Sequence, residues 1–408
     1  MTITDHTLTG RGTQLGFTTE RAALVDALTT VGLAVPKRPV VPLLGGVLLR
    51  ARDDHLTVSA TDYDTTITVP LSGTVRSAGI LLVDHAELVR LLGALVKGTR
   101  KRDADMLPVT VRTLDDDTPV VDLAGYTVPV TAYAAEDYPA IPDVVSAIAQ
   151  VDREAFTRDV ARIMVAVGKD DVLPALTCIN LETTPGTVTM AATDRYRLAV
   201  ASLPAVSLAH SAKDVSALVP GEVVAATARR FTGDQVRIGF DSMCNPDTVS
   251  FVCGDITMSV RTICGDFPTY RILIPSEAAA TVQFDRAELL AATRRAAAVL
   301  DAKHPEFKRV AVTVTRESVS VAPVLDQHTD AVAAPEQSAT VNGITDTARF
   351  LFNPAYLADA LDSFAGDTVT LHTHSSIARP VLFTDDADGL ANVTAFKHVV
   401  VPMYEPRT

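Results

Sequence analysis

The sequence predicts an α+β fold of three repeated domains, each with two helices and antiparallel sheets. Three observations lead to this prediction. A first helical segment recurs about every 130 residues, a second helical segment recurs at the same interval, and segments with strand-like alternation follow the helices. That interval is too long for a solenoid repeat, so each copy is a domain. The predicted boundaries are 16–143, 148–275 and 281–408.

Composition limits the classes of function. The 408 residues are 47% hydrophobic and 21% charged, which is typical of a globular chain. A net charge of −13 argues against general affinity for nucleic acid but leaves a local basic surface open. Four cysteines without a C-x-x-C pair indicate reduced thiols. With neither a signal peptide nor an apolar span, we expect a cytoplasmic protein whose residues 1–15 form a loose tail.

The first helix of each copy follows an acidic residue and an arginine. Asp152 and Asp285 suit N-caps, and Glu20 suits a first turn. In the second copy the apolar residues have the spacing of one helix face. The three segments are TTERAALVDALTTV, VDREAFTRDVARIM and FDRAELLAATRRAA.

The second helix of each copy also has recognisable start signals. Asp84 with Glu87 predicts a capping box, and Asn353 before Pro354 predicts an N-cap with proline at the first helical position. The segments are LVDHAELVRLLGAL, LVPGEVVAATARRF and LFNPAYLADALDSF.

Strand segments follow the first helix of every copy. One set is VPLLGGVLL, LPALTCINL and FKRVAVTVT, and the next is LTVSATD, VTMAATD and VSVAPVL. Two copies close on similar phrases, EDYPAIP and GDFPTYRILIP, whose Pro and Gly end a strand and begin a connector.

The stretch AATDRYRLAV, residues 191–200, places charge within an apolar segment. Asp194 beside Arg195 and Arg197 could form a catalytic acid–base site, a tight turn at a sheet corner, or part of a binding groove. The residues alone leave these three alternatives open.

Several stretches in this order and spacing resemble the bacterial DNA polymerase III beta subunit family, the sliding clamps. They are AATDRYRLAV, DVLPALTCINLE, GDFPTYRILIP, FNPAYLADAL and the terminal VVVPM. The resemblance implies a head-to-tail dimeric ring of two three-domain chains that encircles duplex DNA. It also implies a processivity factor for DNA replication that is no enzyme and needs no cofactor or metal.

In this family a groove between the second and third domains binds peptides similar to Gln-Leu-x-Leu-Phe. The implied partners are the DNA polymerase III alpha subunit, the clamp loader and repair proteins. Asp194 and Arg197 are expected to fix the turn, and Leu198 is expected to be partly exposed without a peptide. The implied groove residues are Leu176, Thr193, Arg195, Tyr196, Leu198, Pro268, Leu273, Val399, Val401 and Met403.

The resemblance also implies a basic inner face and a subunit interface. Segment 286–309 carries six basic and three acidic residues, as a DNA-facing helix would, whereas 352–367 carries three acidic residues and no base. The candidate DNA contacts are Arg38, Arg158, Arg162, Lys169, Arg294 and Arg295. The candidate interface residues are Val128 and Val130 on one side and Val299 and Leu300 on the other.

Two departures from the family pattern lie at the C-terminus. Val401 stands where methionine is usual, and Tyr404-Glu405-Pro406 replaces a basic tail. Valine is shorter and stiffer than methionine, so the groove rim is expected to change. An alternative function is therefore a specialised second clamp that sustains replication when a groove-binding antibiotic blocks the main one.

Rival classes have less support. No G-x-S-x-G, Walker A or H-E-x-x-H motif supports an enzyme, and no helix-turn-helix or zinc signature supports a monomeric DNA-binding regulator. His372 and His374 would share one strand face, but without a carboxylate or cysteine nearby in sequence they favour a metal site only weakly. The acidic run at 115–117 is interpreted as a solvated turn.

Overall fold

The computed structural model describes residues 15–53, 55–170, 172–208, 214–304, 306–325, 333–376, 379–385 and 388–404. Of the predicted tail, residues 1–14 lie outside these ranges. Leu15 does not fit a loose tail, because it is buried and its carbonyl oxygen accepts a 3.0 Å hydrogen bond from the Thr113 N–H.

Contacts within the described residues divide the chain into two compact units. The first unit comprises Met1–Ala147, Arg229–Asp241 and Thr248–Arg261, and the second comprises Ile148–Ala228, Ser242–Asp247 and Thr262–Thr408. The division into domains 16–143, 148–275 and 281–408 stays a prediction from the repeats.

Among its described residues, the first third of the chain has one helix more than predicted. The short helix α3 lies in the basic stretch after α2, where no apolar periodicity indicates it. The elements are β1 (Gly16–Glu20), α1 (Arg21–Val31), β2 (Gly46–Arg52), β3 (His55–Thr61), β4 (Thr65–Pro70), β5 (Thr74–Ser77), β6 (Gly79–Asp84), α2 (His85–Ala94), α3 (Lys101–Asp105), β7 (Pro108–Thr113), β8 (Pro119–Leu123), β9 (Tyr126–Pro129) and β10 (Ala132–Tyr133).

The middle third repeats the order helix, strands, helix, strands. Its elements are β11 (Ala147–Asp152), α4 (Arg153–Ile163), β12 (Cys178–Thr184), β13 (Thr187–Thr193), β14 (Arg197–Pro204), β15 (Val206–Ser207), β16 (Val215–Pro220), α5 (Gly221–Ala228), β17 (Gln235–Phe240), β18 (Thr248–Cys253) and β19 (Ile256–Arg261).

The last third contains the longest described helix, α6. Its elements are β20 (Ala280–Asp285), α6 (Arg286–Lys303), β21 (Arg309–Val314), β22 (Ser318–Val324), β23 (Glu336–Asn342), β24 (Ala348–Phe352), α7 (Pro354–Asp362), β25 (Thr368–Thr373), β26 (Val381–Thr384) and β27 (Lys397–Val400).

The α+β class with antiparallel sheets is confirmed. The first unit has a five-stranded sheet, β5-β1-β7-β8-β9, and a second run of strands, β10-β6-β2-β3-β4-β19-β18-β17. In the second unit β11 pairs with β15, and a twelve-stranded sheet has the order β16-β12-β13-β14-β27-β26-β25-β20-β23-β22-β21-β24. The strand β27 thereby joins β14 to the last third of the chain.

Most helix starts follow the sequence signals. The carboxylates of Asp152 and Asp285 accept hydrogen bonds from backbone N–H groups three residues on, and Asn353 caps α7 before Pro354. The capping box is only half formed. Asp84 accepts from the Glu87 N–H, but the Glu87 carboxylate accepts from the Thr131 N–H.

The start of α1 differs from the expectation. Glu20 occupies the N-cap position instead of the first turn, and its side chain makes no capping hydrogen bond. The apolar pattern nevertheless holds in all three copies, because Leu24, Phe156 and Leu289 are each buried beneath their helix. All four cysteines are free, and burial raises the pKa of the Cys178 thiol. Within the described ranges, the helices are too short or too polar to cross a membrane.

Candidate functional site

The stretch AATDRYRLAV forms a tight turn between β13 and β14. The Oδ1 of Asp194 accepts 3.0 Å hydrogen bonds from the backbone N–H groups of Tyr196 and Arg197. Arg195 takes a left-handed backbone conformation with a φ of 79°, and its N–H donates to the Thr193 hydroxyl. The carboxylate of Asp194 is thus engaged in closing the turn, which supports its predicted structural role.

Arg197 connects this turn to helix α7. Its side chain is 9% exposed and pairs with Asp194 at 2.9 Å and Asp359 at 2.5 Å. The guanidinium carbon lies 4.6 Å from the centre of the Tyr356 ring, within range of a cation–π contact. Because residues 356 and 359 are one helical turn apart, both face the same arginine.

A cavity of about 480 Å³ opens beside the turn in the second unit. It is lined by residues 167–170, Leu173, Leu176, the turn residues 194–197 and Tyr356. The Tyr196 ring is 54% exposed and stacks on the Tyr356 ring, with 6.0 Å between their centroids. The cavity therefore has an aromatic wall, an aliphatic side and charged side chains of both signs in its lining.

Three of the ten predicted groove residues line this cavity: Leu176, Arg195 and Tyr196. Sequence reasoning missed Tyr356 and Leu173. The signal for Tyr356 was present in FNPAYLADAL, where the N-cap Asn353 places position 356 in the first turn of a helix. Its partial burial raises the pKa of the phenol.

Leu198 does not fit the expectation of partial exposure. It is 1% exposed and belongs to a buried cluster with Val399, Tyr270 and Leu382. It follows the turn on β14, whose pairing with β27 covers it from the last third of the chain. Thr193 is also buried, and its hydroxyl donates to the Arg197 carbonyl. Neither residue lines the cavity, and both are part of the packing around the turn.

The connector after β19 packs against the buried cluster that contains Leu198. The residues that make this contact are not the two predicted groove residues of the connector. Pro268 and Leu273 are exposed and do not line the cavity, whereas Phe267 and Ile274 pack against the buried cluster. Tyr270 is held by Glu182, whose carboxylate accepts from its hydroxyl at 3.3 Å. Burial raises the pKa of the Tyr270 phenol.

The C-terminal segment continues alongside the turn after β27 ends. The Val401 N–H donates to the Tyr196 carbonyl at 2.9 Å, and the Met403 N–H donates to the Leu351 carbonyl at 2.7 Å. Both side chains are partly buried and neither lines the cavity. Tyr404 is exposed, whereas Glu405 and Pro406 lie outside the described residues.

Arg162 is a correction to the candidate DNA contacts. Its guanidinium lies 3.8 Å from the Phe396 ring centre and donates to the Ser363 carbonyl. It also pairs with Asp159 and Asp385, and its side chain is only 12% exposed. The side chain of this arginine therefore packs within the second unit and is not available to DNA. The spacing of residues in α4 gives no sign of the aromatic rings that contact it.

The other basic candidates are more accessible. Arg158 is 53% exposed and pairs with Asp159, and Arg294 is 61% exposed and lies 3.4 Å from Asp362. Arg38 and Arg295 are exposed. Lys169 is exposed too, but it lies at the cavity described above.

The acidic segment around α7 is explained by its partners. Asp359 pairs with Arg197, Asp362 pairs with Arg294, and the Asp367 carbonyl accepts from the Arg286 N–H. Two of its three carboxylates are thereby compensated by arginines, so its lack of bases does not conflict with a neighbouring basic surface.

The four interface candidates differ in accessibility. Val299 is 42% exposed on α6, whereas Leu300 is fully buried within its own chain. The prediction that Leu300 contacts a second subunit is therefore wrong, because its side chain has no exposed surface. Val128 is half-buried on β9, the edge strand of the five-stranded sheet, and Val130 is 7% exposed just beyond it.

The two histidines are engaged in different contacts. His372 Nε2 lies 2.7 Å from the Thr384 hydroxyl, and His374 contacts Ser375 and Arg379. No group of three or more His, Cys, Asp or Glu side chains suited to a metal occurs among the described residues. The acidic run at 115–117 is an exposed turn, as predicted.

The fold and sequence match one family. The model of the DNA polymerase III beta subunit, N-terminal domain, matches residues 15–142, and the model of its central domain matches 150–269. The beta sliding clamp of Micrococcus luteus is 31% identical over 70% of this chain and 88% of that protein. The beta sliding clamp of Streptomyces coelicolor is 28% identical over 94% of this chain and 98% of that protein.

A further relative and a solved structure are similar over almost the whole chain. A protein from Streptomyces muensis named beta sliding clamp homolog GriR is 26% identical over 95% of this chain and 98% of that protein. The crystal structure of the Caulobacter crescentus beta sliding clamp superposes with a TM-score of 0.82 and 24% identity, over 97% of this chain and 100% of that one.

Proposed function

Since the chain belongs to the DNA polymerase III beta subunit family, the beta sliding clamps, we propose that it is a DNA sliding clamp. Two copies form a closed ring around duplex DNA and tether the replicative polymerase. The function is topological, so it requires no catalytic group. The observation that supports it best is the 480 Å³ cavity beside the turn at 194–197.

The cavity fits a short apolar peptide carried by a partner protein. Tyr196 and Tyr356 give a broad, partly wet aromatic wall, and Leu173 and Leu176 give an aliphatic side. A few buried apolar anchors supply most of the affinity in such sites. We assign this cavity to segments similar to Gln-Leu-x-Leu-Phe in the polymerase alpha subunit, the clamp loader and repair proteins.

The ring requires a dimer, for which we propose contact between Val299 on α6 and the edge strand β9 at Val128 of a second copy. An unpaired edge strand is suited to such pairing. Val299→Asp should give monomers in sedimentation, because a buried unpaired carboxylate costs several kcal/mol. Val393→Asp, at an exposed valine of the same unit, should stay dimeric. A dimeric Val299→Asp protein would move the interface elsewhere.

Encirclement of DNA has its own test. Rings loaded by a clamp loader should remain on closed circular DNA and slide off linear DNA, and equal retention on both would exclude the topological mechanism. Any direct DNA contact should be insensitive to sequence and weaken steeply with salt. Arg38, Arg158, Arg294 and Arg295 remain the candidates for it.

A second candidate function is a specialised clamp that sustains replication under a groove-binding antibiotic. It is favoured by Val401, whose backbone is hydrogen-bonded to Tyr196 at the cavity wall. In that case Val401→Met should change the affinity of small cyclic groove ligands more than it changes the unfolding free energy. Equal ligand affinity in both proteins would remove the support for this function.

A further inference from the structure

A separate cavity of about 240 Å³ lies in the first unit, on the hairpin formed by β2 and β3. Three of its lining side chains are basic: Arg50, Arg52 and His55. All three are exposed. The cavity has no part in the peptide site or in the proposed subunit contact.

Strand register explains why the basic side chains meet. Arg50 and Arg52 are two residues apart on β2 and therefore project from the same face of the sheet. On β3, His55 pairs with Arg52 and Thr57 pairs with Arg50, so both neighbours share that face. The hairpin thus concentrates three basic groups within two rows of cross-strand pairs.

The rest of the cavity offers hydroxyl groups and one apolar side chain. The hydroxyls of Ser59 and Thr68 lie 2.9 Å apart across β3 and β4. Since one of the pair must donate to the other, one hydroxyl hydrogen remains for a further acceptor. Ile141, from the connector after β10, lines the cavity as well.

No carboxylate lines this cavity among the described residues. Asp53, at the turn between β2 and β3, is exposed and is not part of the lining. Arg50 and Arg52 also make no ion pair with any described residue. Neighbouring guanidinium groups repel each other, and an anion held between them would convert that repulsion into attraction. Arginine also binds phosphate oxygens through paired N–H groups.

We propose that the Arg50–Arg52–His55 cavity binds a phosphate group, either free phosphate or the phosphorylated side chain of a partner protein. The guanidinium groups contact the phosphate oxygens, and a hydroxyl of the Ser59–Thr68 pair donates to one of them. Ile141 provides an apolar surface for the carbon stem of a phosphorylated residue.

The test is calorimetric titration of the intact protein with inorganic phosphate at fixed ionic strength. The double variant Arg50→Gln with Arg52→Gln should weaken phosphate binding at least tenfold. Arg237→Gln removes an exposed arginine of the same unit outside the cavity and should change it less than twofold. Absence of phosphate binding to the unaltered protein, or equal binding by the double variant, would overturn the proposal. Circular dichroism establishes that each variant is folded.

Two further titrations identify the source of the phosphate. A phosphoserine peptide that binds more tightly than inorganic phosphate, and more tightly than its unphosphorylated form, indicates a modified partner protein. Tighter binding of inorganic phosphate indicates the free ion. If single-stranded DNA binds with the same dependence on Arg50 and Arg52 while both phosphate probes fail, the cavity is a nucleic-acid contact and the proposal is wrong.

Discussion

The turn at 61–65 in the first unit and the turn at 193–197 in the second have the same backbone and different surroundings. In both, a threonine hydroxyl accepts a 3.2 Å hydrogen bond from the N–H two residues on. In both, an aspartate carboxylate accepts hydrogen bonds from the backbone N–H groups two and three residues on. Tyr63 and Arg195 share a left-handed conformation, with φ values of 78° and 79°.

The two turns differ at their last residue. Thr65 in the first turn is small and buried, whereas Arg197 in the second reaches Asp359 and the Tyr356 ring. The first turn is held from outside by Tyr138, whose hydroxyl accepts a 2.9 Å hydrogen bond from the Thr61 N–H, and its ion pair between Asp64 and Arg261 is exposed, at 3.8 Å. The hydrogen bonds of the Thr-Asp pair are therefore common to both turns, whereas Arg197 adds contacts with α7 at the cavity wall.

The largest effect on stability is expected when Arg197, the last residue of the second turn, is replaced by threonine, the last residue of the first turn. Arg197→Thr leaves Asp194 and Asp359 without their cation and should lower the unfolding free energy by about 2–3 kcal/mol. That figure is below the loss of about 3–5 kcal/mol for a fully buried pair, because Asp359 is 46% exposed and partly screened by solvent. Urea denaturation measures it.

Arg261→Thr is the matched control for that exchange. Its ion pair is exposed on both sides, so the loss should stay below about 0.5 kcal/mol. Equal losses in the two variants would mean that Arg197 is no more than a surface ion pair.

The next effect is the response of stability to pH through His398. Burial, with the nearby charges of Arg197 and Arg162, lowers the pKa of His398 from 6.5 to about 3. A lowered histidine pKa means that its contribution to stability is complete above pH 6.5 and is lost as pH falls towards 3. His398→Asn should therefore flatten the decline of unfolding free energy between pH 6.5 and 4 by roughly 1 kcal/mol per pH unit. An unchanged slope would contradict the burial of a neutral imidazole.

A smaller effect concerns the tyrosine beside each turn. Tyr196→Ala removes the stacked wall of the cavity and should weaken binding of a Gln-Leu-x-Leu-Phe peptide about tenfold, or about 1.4 kcal/mol. Tyr63→Ala truncates a similarly exposed tyrosine in the first turn and should leave the affinity unchanged. Isothermal titration compares them. The groove assignment fails if both variants bind like the unaltered protein.

The smallest effect on stability is expected when the aspartate of each turn is replaced by asparagine, which removes the charge and keeps the shape of the side chain. Asparagine preserves the hydrogen bonds of the turn, so Asp194→Asn removes chiefly its charge pairing with Arg197 and should cost about 1 kcal/mol. Asp62→Asn should stay within about 0.5 kcal/mol of neutral at pH 7. The reason is that burial raises the pKa of the Asp62 carboxyl, so its charged form is disfavoured. Thermal unfolding at pH 7 measures the loss of stability in the two variants.

Local features of the sequence determined the repeated plan, the start of most helices and the backbone of the turns. Their hydrogen bonds join groups only two or three residues apart, such as Asp152 with the Ala155 N–H and Asp194 with the Tyr196 N–H. Such contacts depend on residue type and spacing, which a sequence displays directly. The same holds for the apolar faces of the first helices.

Tertiary structure alone decided which side chains are accessible. Leu198 is buried because β27, about two hundred residues later in the chain, pairs with β14. The Arg162 side chain contacts Phe396, and the Arg197 side chain contacts Tyr356 and Asp359. These contacts also join residues that are far apart in the sequence of the second unit. Burial and ion pairing at these positions depend on elements brought together by the sheet, so neither local periodicity nor motif spacing could have located them.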